Sequence, residues 1–100
     1  VPYTFDCNDM RFASAPGFNT PDDFLRHLVA NFDCLYRESA HGPKMMSVGL
    51  HLRLAGRPAR AEALRRFLEH VRRHDGVWLC TRGQIADHWA QACPPGAVAA

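Results

Sequence analysis

"KMMSVGLHL" (residues 44–52) decides how the rest of this chain is read. From Met45 to Leu50 the residues are small or apolar, with no polar alternation. A run of that kind suits a strand covered on both faces, which is the situation in a parallel sheet. It then ends on His51, with Arg53 two residues later. Ligands of parallel α/β folds gather at the C-terminal ends of the strands. A titratable group there can stay partly solvated while its strand is buried, so His51 is a candidate for chemistry.

The flanking segments supply the rest of the architecture. Upstream, "TPDDFLRHLVANFDCLYRESA" (20–40) reads as a helix. Thr20 is its N-cap, Pro21 takes the first helical position, and Asp22 and Asp23 stand where the helix dipole favours anions. Phe24, Leu28, Phe32 and Leu35 form the apolar stripe. Downstream, "RLAGRP" is a loop into a second helix, on which Leu64, Phe67, Leu68 and Val71 repeat at helical spacing. Gly76 suits a left-handed stop. "VPYTFD" at the start and "VWLC" (77–80) read as two further strands, with a loop after the first punctuated by Pro16 and Gly17. Thr81 and Gln84 make a capping-box signature for a last helix through Ile85, His88, Trp89 and Ala92. Trp78 and Trp89 are expected in core and inter-helix packing. The order is β-α-β-α-β-α, with right-handed crossovers and three parallel strands. Residues 1–91 form this unit and 92–100 a flexible tail.

Three parallel strands alone would leave both edges open and one face thinly covered. The chain also begins without Met and directly in a strand-like segment. Both features are those of a fragment or a processed chain. One hundred residues can bury one modest core. No apolar run approaches the ~18 residues of a membrane span, and the N-terminus does not read as an export signal. Cys7, Cys34, Cys80 and Cys93 have neither zinc-motif nor disulfide-scaffold spacing. A reduced, cytoplasmic setting is expected.

Net charge is +2, unevenly spread: residues 51–82 carry eight Arg against Glu62, Glu69 and Asp75. That face lacks interleaved aromatics and any nucleic-acid reading module, so it is expected to be a solvated helix face. Neither a nucleic-acid partner nor a membrane is expected.

"DCNDM" ends the first strand. If the first two strands are neighbours, Asp6, Asn8 and Asp9 reach the same mouth as His51. A carboxylate bonded to an imidazole fixes its tautomer, and such a pair can act as a general acid. Asp6 is the weaker candidate. Arg53 and Arg57 could hold a polar edge of a substrate. His27, His41, His70, His74 and His88 carry no expected role. Paired His with a carboxylate at metal-ligand spacing, a phosphate loop and a nucleophile elbow are all missing from the pattern. No metal and no cofactor are expected.

"YTFDCNDMRF", "PKMMSVGLHLRLAGRPAR" and "HDGVWLCTRGQIADHW" together resemble the C-terminal part of the polysaccharide deacetylase superfamily, and most of all its cofactor-independent allantoinase branch. The resemblance runs from residue 1 to about residue 90. It implies an irregular (β/α) barrel of which these βα units are a slice. "DCNDM" resembles the family's D-x-x-D-W motif, with Met10 where Trp is usual. The resemblance gives Asp9 the orienting role and His51, in the place of the L-x-H motif, that of catalytic acid. Gly49 stands where that motif has Leu. Asn8, Met10 and Arg53 would contact the substrate. The family's catalytic Asp pair and metal-binding His motif lie in its N-terminal half, outside these residues. The implied activity is opening of the hydantoin ring of allantoin to allantoate, with a small-molecule substrate and assembly as a homo-oligomer or with the other barrel half. The alternatives are a metal-dependent carbohydrate N-deacetylase fragment and a standalone non-catalytic α/β interaction or assembly module.

Overall fold

The computed structural model describes residues 1–15 and 17–95. Its four α-helices are α1 (Pro21–Glu38), α2 (Leu52–Ala55), α3 (Pro58–Arg72) and α4 (Arg82–Ala92). A 3₁₀ turn at Asp9–Phe12 precedes α1, and another at Ser39–His41 follows it. Two start signals hold in detail. The Thr20 hydroxyl accepts from the Asp23 N–H (3.1 Å), and the Asp23 carboxylate accepts from the Thr20 N–H (3.1 Å). Thr81 and Gln84 make the same reciprocal pair at the head of α4. Pro58 opens α3, and Gly76 beyond its end has a left-handed φ of 75°.

The core is the seam between α1 and α3. Phe24, Leu28 and Phe32 of α1 meet Ala63, Phe67 and Val71 of α3, with Cys7 beneath them. On α3 the buried stripe runs through Ala63, while Leu68 stays 40% exposed. The helix is thus rotated slightly from the face that its largest side chains predict. Phe12, Phe18 and Phe24 form an aromatic trio with centroids 5.3–5.5 Å apart. Arg60 of α3 lies over the Phe12 ring at 4.1 Å. Phe12 therefore anchors the 3₁₀ turn to the core.

The three expected strands do not appear as strands among the described residues. They are extended segments, joined by one parallel bridge between Asn8 and Gly49. The Gly49 N–H donates to the Cys7 carbonyl (2.8 Å), and the Asp9 N–H donates to the Gly49 carbonyl (2.9 Å). The first two segments are thus parallel neighbours at this bridge, which meets the condition for Asp9 and His51 to share one mouth. Upstream the ladder fails for a local reason. Thr4 and Ser47 give their amides to each other's hydroxyls, at 2.9 and 3.0 Å, in place of carbonyls. A turn from Thr4 to Cys7 also shifts the register by two residues. Pro2 and Pro43 supply no N–H at the outer ends. The third segment, residues 77–80, makes no bridge among the described residues.

Other expectations need correction. "RLAGRP" is partly helical, since α2 occupies Leu52–Ala55. Trp78 and Trp89 are 57% and 60% exposed, so they are not core residues. α4 buries no side chain, which leaves Trp89 without an apolar surface to pack on. The expected tail, residues 92–100, begins on Ala92, which is still the last residue of α4, and residues 96–100 of it lie outside the described residues. Pro16, expected to punctuate the first loop, also lies outside them. No described helix is long and apolar enough to cross a membrane.

Candidate functional site

The site is assembled where the Asn8–Gly49 bridge ends. Asn8 caps the 3₁₀ turn, its Oδ1 accepting from the Met10 N–H at 2.8 Å. That turn directs Asp9 inward, and its side chain is fully buried. A buried carboxylate requires partners, and Asp9 has three. Oδ2 accepts from the His51 N–H (2.5 Å) and the Ala55 N–H (3.1 Å), and Oδ1 lies 2.7 Å from His51 Nδ1. His51 is the N-cap of α2 but makes no capping bond with its own side chain. Asp9 instead accepts from the His51 N–H, 42 residues away, and shares the Ala55 N–H with the His51 carbonyl (2.9 Å).

This network fixes the imidazole. Two backbone N–H groups can only donate, so they hold Asp9 as an acceptor. The Nδ1 of His51 then carries the proton shared with Oδ1. Nε2 makes no hydrogen bond among the described residues and sits on a side chain 42% exposed. The neutral ring offers a lone pair there, and the imidazolium offers a proton.

Gly49 explains its own departure from the family pattern. A Cβ built on it would lie 2.4 Å from Asn8 Nδ2 and 3.0 Å from Asn8 Cγ. The Asn8 amide therefore lies over the glycine, and the side chain the L-x-H motif would place there has no room. Asn8 is thus engaged in building the site: Oδ1 caps the turn and Nδ2 covers Gly49.

The other candidates separate. Met10 is half-buried in the 3₁₀ turn, and its carbonyl accepts from the Ala13 N–H at 2.9 Å. Arg53 is exposed on α2 and makes no ion pair among the described residues. Arg57 is the N-cap of α3. Asp6 does not join Asp9; its carboxylate lies 3.1 Å from His27 Nε2 on α1. Asp6 and His27 line a shallow open recess with Arg11, Phe18 and Asp23, and His51 takes no part in it.

Two supporting residues escaped the sequence reading. Arg60 donates to the Leu54 carbonyl (3.1 Å) while stacking on Phe12, so it ties α2, α3 and the 3₁₀ turn together. Cys7 is fully buried behind the bridge. Burial, with the Asp6 charge adding to it, pushes its thiol up to about 12. At neutral pH it is therefore a packing group and not a nucleophile. All four cysteines are free.

Histidines on the helices are also paired. His70 Nε2 lies 2.7 Å from Asp33 Oδ1, and His74 Nδ1 lies 2.8 Å from the His70 carbonyl. The sequence pattern shows no carboxylate beside a His pair, but the fold brings Asp33 to His70 and His74. The four-residue spacing of "HVRRH" was visible, but the carboxylate comes from another helix, 37 residues away. The Arg-rich face of α3 is salt-bridged along its own helix, with Arg65 joined to Glu62 (2.7 Å) and Glu69 (2.8 Å).

Several large apolar side chains are uncovered. Phe5 is 85% exposed and Leu52, beside His51, is 93% exposed, with Leu50, Trp78 and Leu79 also uncovered.

No family model matches the sequence. Similar proteins are nonetheless found. A protein from Schizosaccharomyces pombe that carries the name polysaccharide deacetylase is 50% identical over 95 residues, covering 94% of this chain and 30% of its own length. The peptidoglycan deacetylase of Helicobacter pylori is 30% identical over 78 residues, covering 78% of this chain and 26% of its own. Among solved structures, the PuuE allantoinase superposes with a TM-score of 0.91 at 53% identity. A Pseudomonas aeruginosa protein of polysaccharide deacetylase type gives 0.91 at 51%. Each of these two structures covers 94% of this chain, which in turn covers 31% of them. The chain thus spans about a third of the length of the proteins it matches. It belongs to the polysaccharide deacetylase superfamily, of which it is a C-terminal portion.

Proposed function

We propose that the chain is part of a hydrolase that cleaves a non-peptide C–N bond, and that it opens the hydantoin ring of allantoin to allantoate. The observation that carries this reading is the buried Asp9 carboxylate locking the His51 ring through Nδ1 while Nε2 stays open. Water adds to the ring carbonyl and gives a tetrahedral intermediate. On collapse the C–N bond breaks, its electron pair goes to nitrogen, and Nε2–H of the His51 imidazolium delivers a proton to it. Asp9 keeps the ring in the orientation and tautomer that this transfer needs. The group that takes the proton from water lies outside residues 1–100, as does any metal that takes part in the reaction. Asn8 and Met10 shape the wall of the site, and Arg53 offers a cation to a polar edge of the substrate.

The likeness to a solved allantoinase at 53% identity supports the cyclic-amide substrate. The names of the two curated relatives favour a second reading, an N-deacetylase acting on an acetylated sugar. Both use water attack and a protonated leaving nitrogen, so His51 has one role in either. The apolar surface around Phe5, Leu50, Leu52 and Leu79 supports association with the rest of a barrel.

The complete protein, assayed in parallel for allantoate from allantoin and acetate from N-acetylated oligosaccharide, separates the two. Turnover of allantoin alone is expected. Acetate release without allantoate would transfer the assignment to the deacetylase reading, and neither product would overturn both.

A further inference from the structure

His70 stands in the last turn of α3 and His74 just past its end, with their ring centroids 4.9 Å apart. α1 presents Asp33 to this pair. One ligand atom from each of Asp33, His70 and His74 falls within 4.8 Å of the others. α3 begins beside the His51 site and rises about 1.5 Å per residue, so the cluster lies roughly 20 Å from the chemistry.

Its protonation pattern is already arranged for ligation. His74 Nδ1 donates to the His70 carbonyl (2.8 Å), which leaves the lone pair on Nε2. Metal-ligating imidazoles are commonly oriented by such a bond from the other ring nitrogen. His70 Nε2 and Asp33 Oδ1, at 2.7 Å, share one proton that a cation can replace. The rings are packed in place: Phe32 lies edge-on to both, with centroids at 5.7 and 5.0 Å, and Tyr36 is 4.8 Å from His74. Tyr36 is itself held by a bond from its hydroxyl to the Asp75 carbonyl (2.9 Å).

We propose that Asp33, His70 and His74 bind one divalent transition-metal ion of the zinc type, clasping α1 to α3. Two imidazoles and a carboxylate, with no thiolate, suit zinc and its neighbours better than calcium or magnesium. Bonds of about 2.0–2.2 Å need ligand atoms about 3.3 Å apart. The cluster reaches that spacing by small rotations, since Asp33 is exposed and His74 lies past the end of the helix. Water completes the coordination. The neighbouring trio Asp6, Cys7 and His27 is equally compact, but its thiol is buried and stays protonated, so it makes a poor ligand set. The clasp does not rest on the hydrolase assignment.

The test is zinc titration of the complete protein by calorimetry, with cobalt absorption as the spectroscopic probe. Wild type is compared with Asp33→Asn, His74→Gln and, as control, His27→Gln. Metal bound elsewhere cancels in the difference. Expected is loss of one equivalent, or an affinity at least about tenfold weaker, in the first two variants only. Zinc should also raise the melting temperature of wild type but not of His74→Gln. Equal binding by wild type and both variants overturns the clasp, as does a loss shared by His27→Gln. Two variants that keep the native circular dichroism guard against a folding artefact.

Discussion

Asp9→Asn is the substitution in which the geometry speaks most specifically. The side chain keeps its shape, but one oxygen becomes an NH₂ donor. Oδ2 faces two backbone amides, from His51 (2.5 Å) and Ala55 (3.1 Å). Those donors cannot reverse, so the remaining oxygen must turn to them and the new NH₂ to His51 Nδ1. Nδ1 must then accept, and the proton of the neutral ring moves to Nε2. This is the wrong tautomer for a ring that must be held through Nδ1–H. In the serine-protease triad the equivalent exchange lowers turnover by about 10⁴. His51 is partly exposed and can reorient, so a fall in kcat of roughly 10²–10⁴, with KM nearly unchanged, is expected here. The stability cost is smaller. Two charge-assisted bonds become neutral ones, a loss of about 1 kcal/mol each. Steady-state kinetics on the complete protein, with ¹⁵N chemical shifts of the His51 ring, reads both effects. A kcat within threefold of wild type, or a ring still protonated at Nδ1, would refute the reasoning.

Gly49→Ala should destabilise the protein by about 1–3 kcal/mol, because the new methyl overlaps the Asn8 amide. Chemical denaturation should show most of that loss relieved when Asn8→Ala is added, so strict additivity of the two would contradict the contact. Thr20→Ala should cost about 1 kcal/mol through loss of the cap at the head of α1. The Asp23 carboxyl is held below its ordinary range by the amides of Thr20 and Asn19, with the Thr20 hydroxyl and Arg26 adding to this. A group depressed on folding stabilises above its unfolded pKa, near ~4, and loses that contribution as pH falls through its folded value. Wild type should therefore lose more stability than Asp23→Asn on going from pH 5 to pH 2. Parallel melting curves for the two proteins would contradict this.

The helices were legible because their start signals are local. Thr20 with Asp23 and Thr81 with Gln84 close within four residues, and nothing distant can override them. The strands were less legible. "KMMSVGLHL" carries the composition of a parallel strand, yet a ladder depends on its neighbour. Here Thr4 and Ser47 divert the amides to hydroxyls, and only Gly49 finds backbone partners on both sides. The Trp residues misled for a related reason. Size and apolarity predict burial only where a covering surface exists; Trp78 meets His88 edge-on at 5.8 Å, yet both Trp78 and Trp89 stay more than half exposed.

At the site, the Asp9–His51 pair was readable from two segment ends once the segments were taken as parallel neighbours. Its backbone half was not. That Asp9 also accepts from the Ala55 N–H depends on a helix the sequence showed as a loop. The reason for glycine at position 49 lies in the side chain of Asn8, and no local pattern connects residues 41 apart. Asp33 was hidden from His70 and His74 in the same way.

The central claim is that His51 delivers the proton to the leaving nitrogen, and His51→Gln in the complete protein tests it most directly. Turnover of allantoin and of an N-acetylated oligosaccharide is measured beside wild type across pH. The account predicts a fall in kcat of at least about 10² on whichever substrate wild type hydrolyses, with KM little changed. Turnover equal to wild type on that substrate would contradict it.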